Sequence, residues 1–200
     1  MTLHQLPIAN KERVIIVGAG IGGLAASLRL SHLGYNVKVF ETAETAGGKL
    51  RTITGQTGEI DIGPTVLTLL PVFQKLFRSV GEDIFDHIEL VRQKIIARHW
   101  WPDGETLDLY DDFESSRDAI LNFSGPESAK EFEKYFYDTR DLFSCFDIPV
   151  MQNPNPSMLD MNRAVLNNPK ILFKMHPLRT LSSLLNYKFR DKRLQQLFGR

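Results

Sequence analysis

The sequence predicts an α/β protein: a strand–helix–strand unit at the start, then a β-hairpin, then a mostly helical remainder. Three observations carry this prediction. The apolar run Val14–Val17 leads directly into a glycine cluster, Gly18-Ala19-Gly20-Ile21-Gly22-Gly23. A second strand-like run, Asn36–Glu41, ends in an acid eighteen residues after Gly23. Past residue 111 the apolar positions fall into helical spacing, as at Phe132, Phe136, Leu142, Phe143 and Phe146.

The first strand, Val14–Val17, reads as buried on both faces, because its residues are continuously apolar. Gly18 lets the chain turn tightly as it leaves the strand. Gly20 has no side chain, so backbone could come close to a pyrophosphate. Gly23 lets the next helix lie close to the sheet. That helix starts near Gly20, and its first amides and its dipole favour an anion. Leu24, Leu28 and Leu33 form its apolar stripe, and Gly34 is a fitting stop. Glu41 lies close to the spacing expected for an acid that binds ribose. Strand, glycines, helix and acid together make a Rossmann-like dinucleotide-binding start. They do not separate NAD from FAD.

Residues 42–58 read as a glycine-rich loop at the cofactor. Within it, Gly47-Gly48 permits a second close backbone approach, and Lys49 and Arg51 bring positive charge near a pyrophosphate. Glu59–Val66 alternates like a strand and ends in the break Gly63-Pro64-Thr65. Leu70, Phe73, Leu76, Phe77 and Val80 have helical spacing, with Gly81 as the stop. Ile88–Trp101 and Thr106–Leu109 read as the arms of a hairpin, turned at Pro102-Asp103-Gly104. Alternation sends Trp100 to one face and His99 and Trp101 to the other, where they either pack the hairpin or wall a polyene. Asp112 is placed to cap a helix through Phe123. Ser124-Gly125-Pro126 breaks it, and a longer helix runs on to Phe146. Pro149–Pro156 reads as a linker, and further helices follow with breaks near Pro169 and Pro177.

At 42% hydrophobic and 24% charged, the chain of 200 residues has enough apolar material for a real core. The single cysteine, Cys145, excludes an internal disulfide and fits a reducing compartment. No apolar run reaches the roughly 18 residues a membrane span requires. Met1–Asn10 has no basic segment followed by an apolar core, so no secretory signal is expected. The five histidines show no metal-ligand spacing, no metal site is expected, and no G-x-S-x-G elbow occurs.

The glycine cluster Gly18–Gly23, Glu41, Gly47-Gly48-Lys49 and Asp61-Ile62-Gly63-Pro64-Thr65 together resemble the bacterial carotenoid (phytoene) desaturases, flavoproteins related to the amine-oxidase superfamily. That family usually has arginine where this chain has Lys49, so charge is kept while bidentate phosphate geometry is not. The stretches Ala97–Leu109 and Asp191–Arg200 are most similar to one subgroup, the hydroxyneurosporene desaturases, which make the 3,4 double bond of acyclic 1-hydroxy- or methoxy-carotenoids. The resemblance implies FAD as cofactor and a hydrophobic carotenoid as substrate. It implies cofactor contacts at Gly18, Ala19, Gly20, Ile21, Gly22, Gly23, Glu41, Gly48, Lys49, Arg51, Gly63, Pro64 and Thr65. Family members are much longer, so the chain reads as an N-terminal portion. Residues 1–75 are then the first part of the FAD-binding domain, and 76–200 begin a helical substrate domain.

Desaturation removes two hydrogens from adjacent carbons, and a flavin can take one of them as hydride. A neighbouring polyene delocalises positive charge, which lowers the need for a protein base. No catalytic base is assigned, and Asp61 is read as supporting the strand–loop beside the flavin; the resemblance places Gly63-Pro64-Thr65-Val66 near the flavin ring, the alternative being a plain strand terminator. Alternative readings are a phytoene desaturase, a flavin amine oxidase, and a non-catalytic isoprenoid-binding protein of the same fold.

Net zero charge hides a split. Residues 161–200 hold nine Lys/Arg against the single acid Asp191, and residues 1–160 carry the compensating negative charge. The basic stretch interleaves apolar residues, a mixture suited to a membrane surface or to a pair of basic amphipathic helices packed on the rest of the protein. No nucleic-acid motif accompanies it. The expected location is cytoplasmic, peripheral on the inner face of a membrane.

Overall fold

The computed structural model describes residues 12–64 and 66–199. It divides into two compact units, Met1–Leu90 and Val91–Arg200. The boundary follows Leu90, later than the 75/76 division expected from the sequence. The helix after the cofactor loop and the turn at Ile84–Asp86 therefore belong to the first unit.

In the first unit, β1 (Arg13–Val17), α1 (Ile21–His32) and β2 (Asn36–Phe40) form the expected parallel βαβ start. Val14 lies opposite Val37 and Ile16 opposite Val39. The expectation that β1 is buried on both faces is corrected. Val14 and Ile16 are half-buried on one side, whereas Ile15 is 58% and Val17 85% exposed on the other. Among the described residues this sheet has only two strands, so α1 shields one face and nothing shields the other. α1 ends at Leu33, and the Gly34 amide donates to the Ser31 carbonyl as the chain leaves.

The loop predicted over 42–58 is in part strand. β3 (Thr52–Gly55) and β4 (Gly58–Asp61) form an antiparallel hairpin closed across Gly55 and Gly58. A hydrogen bond from Thr54 Oγ1 to Glu59 Oε1 at 2.8 Å ties the arms. α2 (Leu70–Arg78) follows, somewhat shorter than the spacing predicted.

In the second unit, β5 (Ile95–Trp100) and β6 (Thr106–Tyr110) form the predicted hairpin, with residues 88–94 outside it. α3 spans Phe113–Phe146, and Asp112 caps it by accepting from the Ser115 amide at 2.8 Å. The predicted break is present inside this span. Gly125 has φ 83° and ψ 177°, and Pro126 restarts the helix. A single π turn at Asp147–Met151 leads to α4 (Met158–Asn167), α5 (Ile171–Met175), α6 (Leu181–Lys188) and α7 (Lys192–Phe198).

The core of this unit gathers Leu107, Ile120, Phe132, Leu185, Phe189, Leu194 and Leu197. Phe198 stacks on Phe132 and on Phe189 at 5.9 and 5.1 Å between centroids. The hairpin alternates as expected. His99 and Trp101 stack at 6.1 Å, and Trp101 also packs on Phe123 and donates to Gln196 Oε1 at 3.1 Å. Trp100 points away and is 70% exposed.

Part of the charge split is resolved inside this unit. Lys188 Nζ is 2.6 Å from Asp138, Lys174 Nζ is 3.3 Å from Asp138 and 2.5 Å from Asp141, and Arg190 Nε is 3.4 Å from Glu131. All three carboxylates lie on α3. Burial pushes Asp138 up, but the Lys188 and Lys174 ammoniums outweigh that and hold it below the ordinary aspartate range. Lys188→Met removes the more buried of the two cations and leaves Lys174 to hold Asp138. It is expected to cost about 2 kcal/mol, below the range for an unrelieved buried charge. Denaturant unfolding followed by Trp100 and Trp101 fluorescence checks this. Among the described residues no helix is long and apolar enough to cross a membrane.

Candidate dinucleotide site

The site is assembled from three glycine-bearing segments of the first unit. The first is the β1–α1 turn. Gly18 holds a positive φ of 96°, which L residues rarely adopt, and its amide donates to the Phe40 carbonyl at 2.7 Å. Gly23 is packed so closely that a Cβ there would lie 2.0 Å from the Gly18 carbonyl oxygen. Its role is to let α1 meet the sheet, as the spacing predicted.

The second segment is Gly47-Gly48. The Gly47 amide donates to the Ala19 carbonyl at 2.9 Å, and a Cβ on Gly48 would lie 3.0 Å from Gly20 Cα. The third is Gly63-Pro64. A Cβ on Gly63 would lie 2.0 Å from the Lys49 carbonyl oxygen, so the end of β4 is pressed against the backbone beside Gly48. Gly18–Gly23, Gly48, Lys49, Gly63 and Pro64 thus come together. Thr65 lies outside the described residues.

A cavity of about 780 Å³ opens between these segments, lined by Gly20, Ile21, Gly22, Gly48, Lys49 and Pro64. Val66, Leu67 and Phe73 add apolar lining to it. Val66 ends the segment that the family resemblance places near the flavin ring, whereas Leu67 and Phe73 were not named as site residues. Phe73 carried a signal only as part of a helical stripe, and Leu67 only as a neighbour of the Gly-Pro break. Arg51 lines a smaller adjoining cavity of about 410 Å³ with Lys49, Ile62 and Gly63. Lys49 and Arg51 are exposed and make no ion pair among the described residues, leaving both charges available to an anion.

Ile21 and Gly22, the first residues of α1, line the same cavity. No side chain caps the helix, and the amides of its first turn have no partner within the helix. Phosphate oxygens suit such donors, and the dipole adds to the attraction. Gly20 differs from Gly23 in one respect. A Cβ on Gly20 would meet only Gly48 Cα at 3.9 Å, an ordinary contact, and Gly20 has φ −75°. Neither packing nor backbone conformation requires glycine at this position.

Ala19 and Glu41 act as a joint beneath the cavity. Ala19 is buried, its carbonyl accepts from Gly47, and its amide donates to Glu41 Oε2 at 2.6 Å. Glu41 Oε1 accepts from the Thr42 amide at 2.8 Å and the Ala43 amide at 3.0 Å. The amides of Ala43, Ala19 and Thr42, in that order, hold this carboxyl down to about 2 from an ordinary 4.5. Glu41 lies at the end of β2, where a ribose acid is expected, and it also latches the glycine turn. A lowered pKa stabilises the folded state above the unfolded value, and that contribution is lost as pH falls through the folded one. The latch is therefore intact above pH 4.5 and released near pH 2. The Ala19 and Ala43 amide resonances should shift with a midpoint near 2, and Glu41→Gln should abolish the transition. A midpoint at the ordinary glutamate value would show that these hydrogen bonds do not form in solution.

Asp61 ends β4, paired across the hairpin with Thr52. Cys145 is half-buried and its thiol donates to the Ala164 carbonyl at 3.6 Å, consistent with a packing role. Among the described residues no cluster of His, Cys, Asp and Glu could hold a metal ion.

A family of NAD(P)-binding Rossmann-like domains matches residues 16–82. The hydroxyneurosporene desaturase of Cereibacter sphaeroides is 40% identical over 94% of this chain and 38% of its own length. The protein of that name from Rhodobacter capsulatus is 37% identical over 96% of this chain and 39% of its own. In sequence, the chain is similar to part of these carotenoid desaturases. A 4,4'-diapolycopene oxygenase of a Methylomonas species is 32% identical over 66% of this chain and 27% of its own length. The chain thus spans about two fifths of the length of the desaturases it matches. The Rossmann-like match covers β1 to α2, which contain every described residue lining the larger cavity.

Proposed function

We propose that the chain supplies the pyrophosphate- and ribose-holding part of an FAD-dependent oxidoreductase that desaturates an acyclic carotenoid. The bond is the 3,4 bond of a 1-hydroxy- or methoxy-carotenoid. The supporting observation is Gly20: its missing side chain opens the cavity while the protein's own packing makes no use of the space. The desaturase names of the relatives give the substrate class.

The residues present fit the cofactor. The uncapped amides at Ile21 and Gly22 would hold the pyrophosphate, with Lys49 and Arg51 balancing its charge. Glu41 would accept from a ribose hydroxyl, since its Oε2 takes only one protein donor. Leu67 and Phe73, both apolar and lining the cavity, would help keep water from it. FAD, when bound, supplies the capacity for two-electron oxidation. The chain's own part is to bind and orient, and no side chain here is assigned as a base.

Titrating the chain with FAD, and separately with NAD, while following flavin fluorescence and competition tests the cofactor reading. FAD is expected to bind and NAD to compete weakly. Saturation by NAD with no uptake of FAD would defeat it. Pigment analysis of cells that make a 1-hydroxy acyclic carotenoid and express the complete gene tests the substrate. A 3,4-desaturated product is expected, and activity on phytoene alone would reassign the reaction.

A further inference from the structure

The larger cavity of the first unit carries a polar side chain that dinucleotide binding leaves unused. Among the described lining residues the only polar side chains are those of Lys49 and Thr68; the rest are glycines or apolar, Leu50, Val66, Leu67 and Phe73 among them. Lys49 is a cation and suits a phosphate. Thr68 has no charge, and its hydroxyl has no hydrogen-bond partner among the described residues. It is exposed, so solvent reaches it while the cavity is open.

The backbone fixes Thr68 at this wall through an uncommon joint. Leu69, the next residue, is left-handed, with φ 54° and ψ 42°, a region that leucine enters only at a cost. Leu69 is itself exposed, so burial of its side chain does not account for the conformation. The left-handed residue turns the chain from the cavity wall into α2. There the Leu69 carbonyl accepts from the Val72 amide at 2.9 Å, and Pro71 stiffens the first turn. Thr68 before the joint and Phe73 after it line the same cavity. A hydroxyl held by a stiff joint in an apolar lining is preorganised to meet a polar group on an otherwise apolar ligand.

We propose that Thr68 is a specificity-determining residue whose hydroxyl donates to the oxygen on C1 of the carotenoid, a role that rests on the substrate reading given above. In the 3,4 reaction only C2 separates the oxygen-bearing C1 from C3. The oxygen therefore enters the site together with the carbons that are oxidised. A hydroxyl and a methoxy oxygen both accept a hydrogen bond, so one threonine donor serves either. A carotenoid without that oxygen would cover the Thr68 hydroxyl and leave it with neither water nor partner, which disfavours its binding. Discrimination thus comes from both sides, a bond made to one substrate and a buried donor left unmet by the other.

The complete protein, assayed with a 1-hydroxy acyclic carotenoid and with its counterpart lacking the oxygen, tests the role. The unchanged protein is expected to favour the hydroxylated carotenoid in kcat/KM. Thr68→Val keeps the shape of the side chain and removes the donor. It should lower that preference about tenfold, as for one neutral hydrogen bond, and Thr68→Ser should keep it. Thr68→Ala, smaller and equally without a donor, should match the valine variant. The same order is expected in binding without turnover, read as pigment retained on gel filtration by protein whose flavin is held reduced. Flavin absorbance per protein should be equal in all four. A preference that survives in both the valine and alanine variants overturns the proposal, and so does one that the serine variant loses. Loss of flavin from the valine variant would assign the hydroxyl to the cofactor and overturn it too. An unchanged protein that favours the carotenoid without oxygen would defeat the 1-hydroxy reading itself, whereas a preference present there and kept on removing the hydroxyl defeats only the role of Thr68.

Discussion

Gly23→Ala should unfasten the first unit. The added Cβ would lie 2.0 Å from the Gly18 carbonyl oxygen and 3.4 Å from Ile16 Cγ2. The oxygen belongs to backbone, so relief requires α1 to move away from β1. Overpacking of this kind costs about 1–3 kcal/mol and more where backbone must yield. In this unit the loss is serious, because none of the α1 residues is fully buried and few other contacts restrain the helix. A destabilisation of about 3 kcal/mol would lower the melting point of a unit this size by about 12–24 °C. Hydrogen exchange across β1 and α1 is the suitable measurement, since both tryptophans lie in the second unit. Protection there should collapse while protection along α3 persists. Unchanged exchange in α1 would mean that the helix does not sit against the turn as closely as described.

Gly20→Ala should do the opposite: leave folding intact and remove the cofactor. Its Cβ meets no protein atom closer than 3.9 Å, and the backbone angles suit alanine. The methyl group would instead occupy the cavity wall where backbone must approach a pyrophosphate. A loss of FAD affinity of about a hundredfold is expected, about 2.8 kcal/mol at 1.4 kcal/mol per decade. Stability should stay within about 0.5 kcal/mol, as for a substitution that disturbs no packing. Equal FAD affinity in the two proteins would remove the basis for placing phosphate at this turn. Taken together, the two glycines separate a structural role from a binding role within one six-residue motif.

The parts legible in the sequence are those governed by neighbouring residues. The β1–α1–β2 order follows from Val14–Val17, the glycines and the helix stop at Gly34. The break inside α3 follows from Gly125-Pro126, and the cap at Asp112 from its place before an apolar-periodic run. The parts that were not legible depend on pairing at a distance. Thr52–Gly55 has no apolar alternation and looks like loop, and it becomes a strand because Glu59-Ile60-Asp61 pairs with it. Leu67 and Phe73 show nothing locally that marks a cavity wall, and they meet Gly20 and Gly48 only after folding. The basic surplus at residues 161–200 fitted either a membrane surface or helices packed on the rest of the protein. Its division depends on which cations reach α3, as Lys188 does across fifty residues. The burial of β1 was misjudged because an apolar run cannot reveal how many strands will lie beside it.

That last point bears on handling the protein at the bench. β1 and β2 are both edges of a two-stranded ladder, and one side of the ladder carries Ile15, Val17 and Phe40 in the open. Unused backbone donors and acceptors along such edges can recruit extended segments from other molecules. The same row that begins a nucleotide-binding sheet is thus a seed for self-association at high concentration. Its turbidity should depend on Val17 more than on any residue of the helical unit.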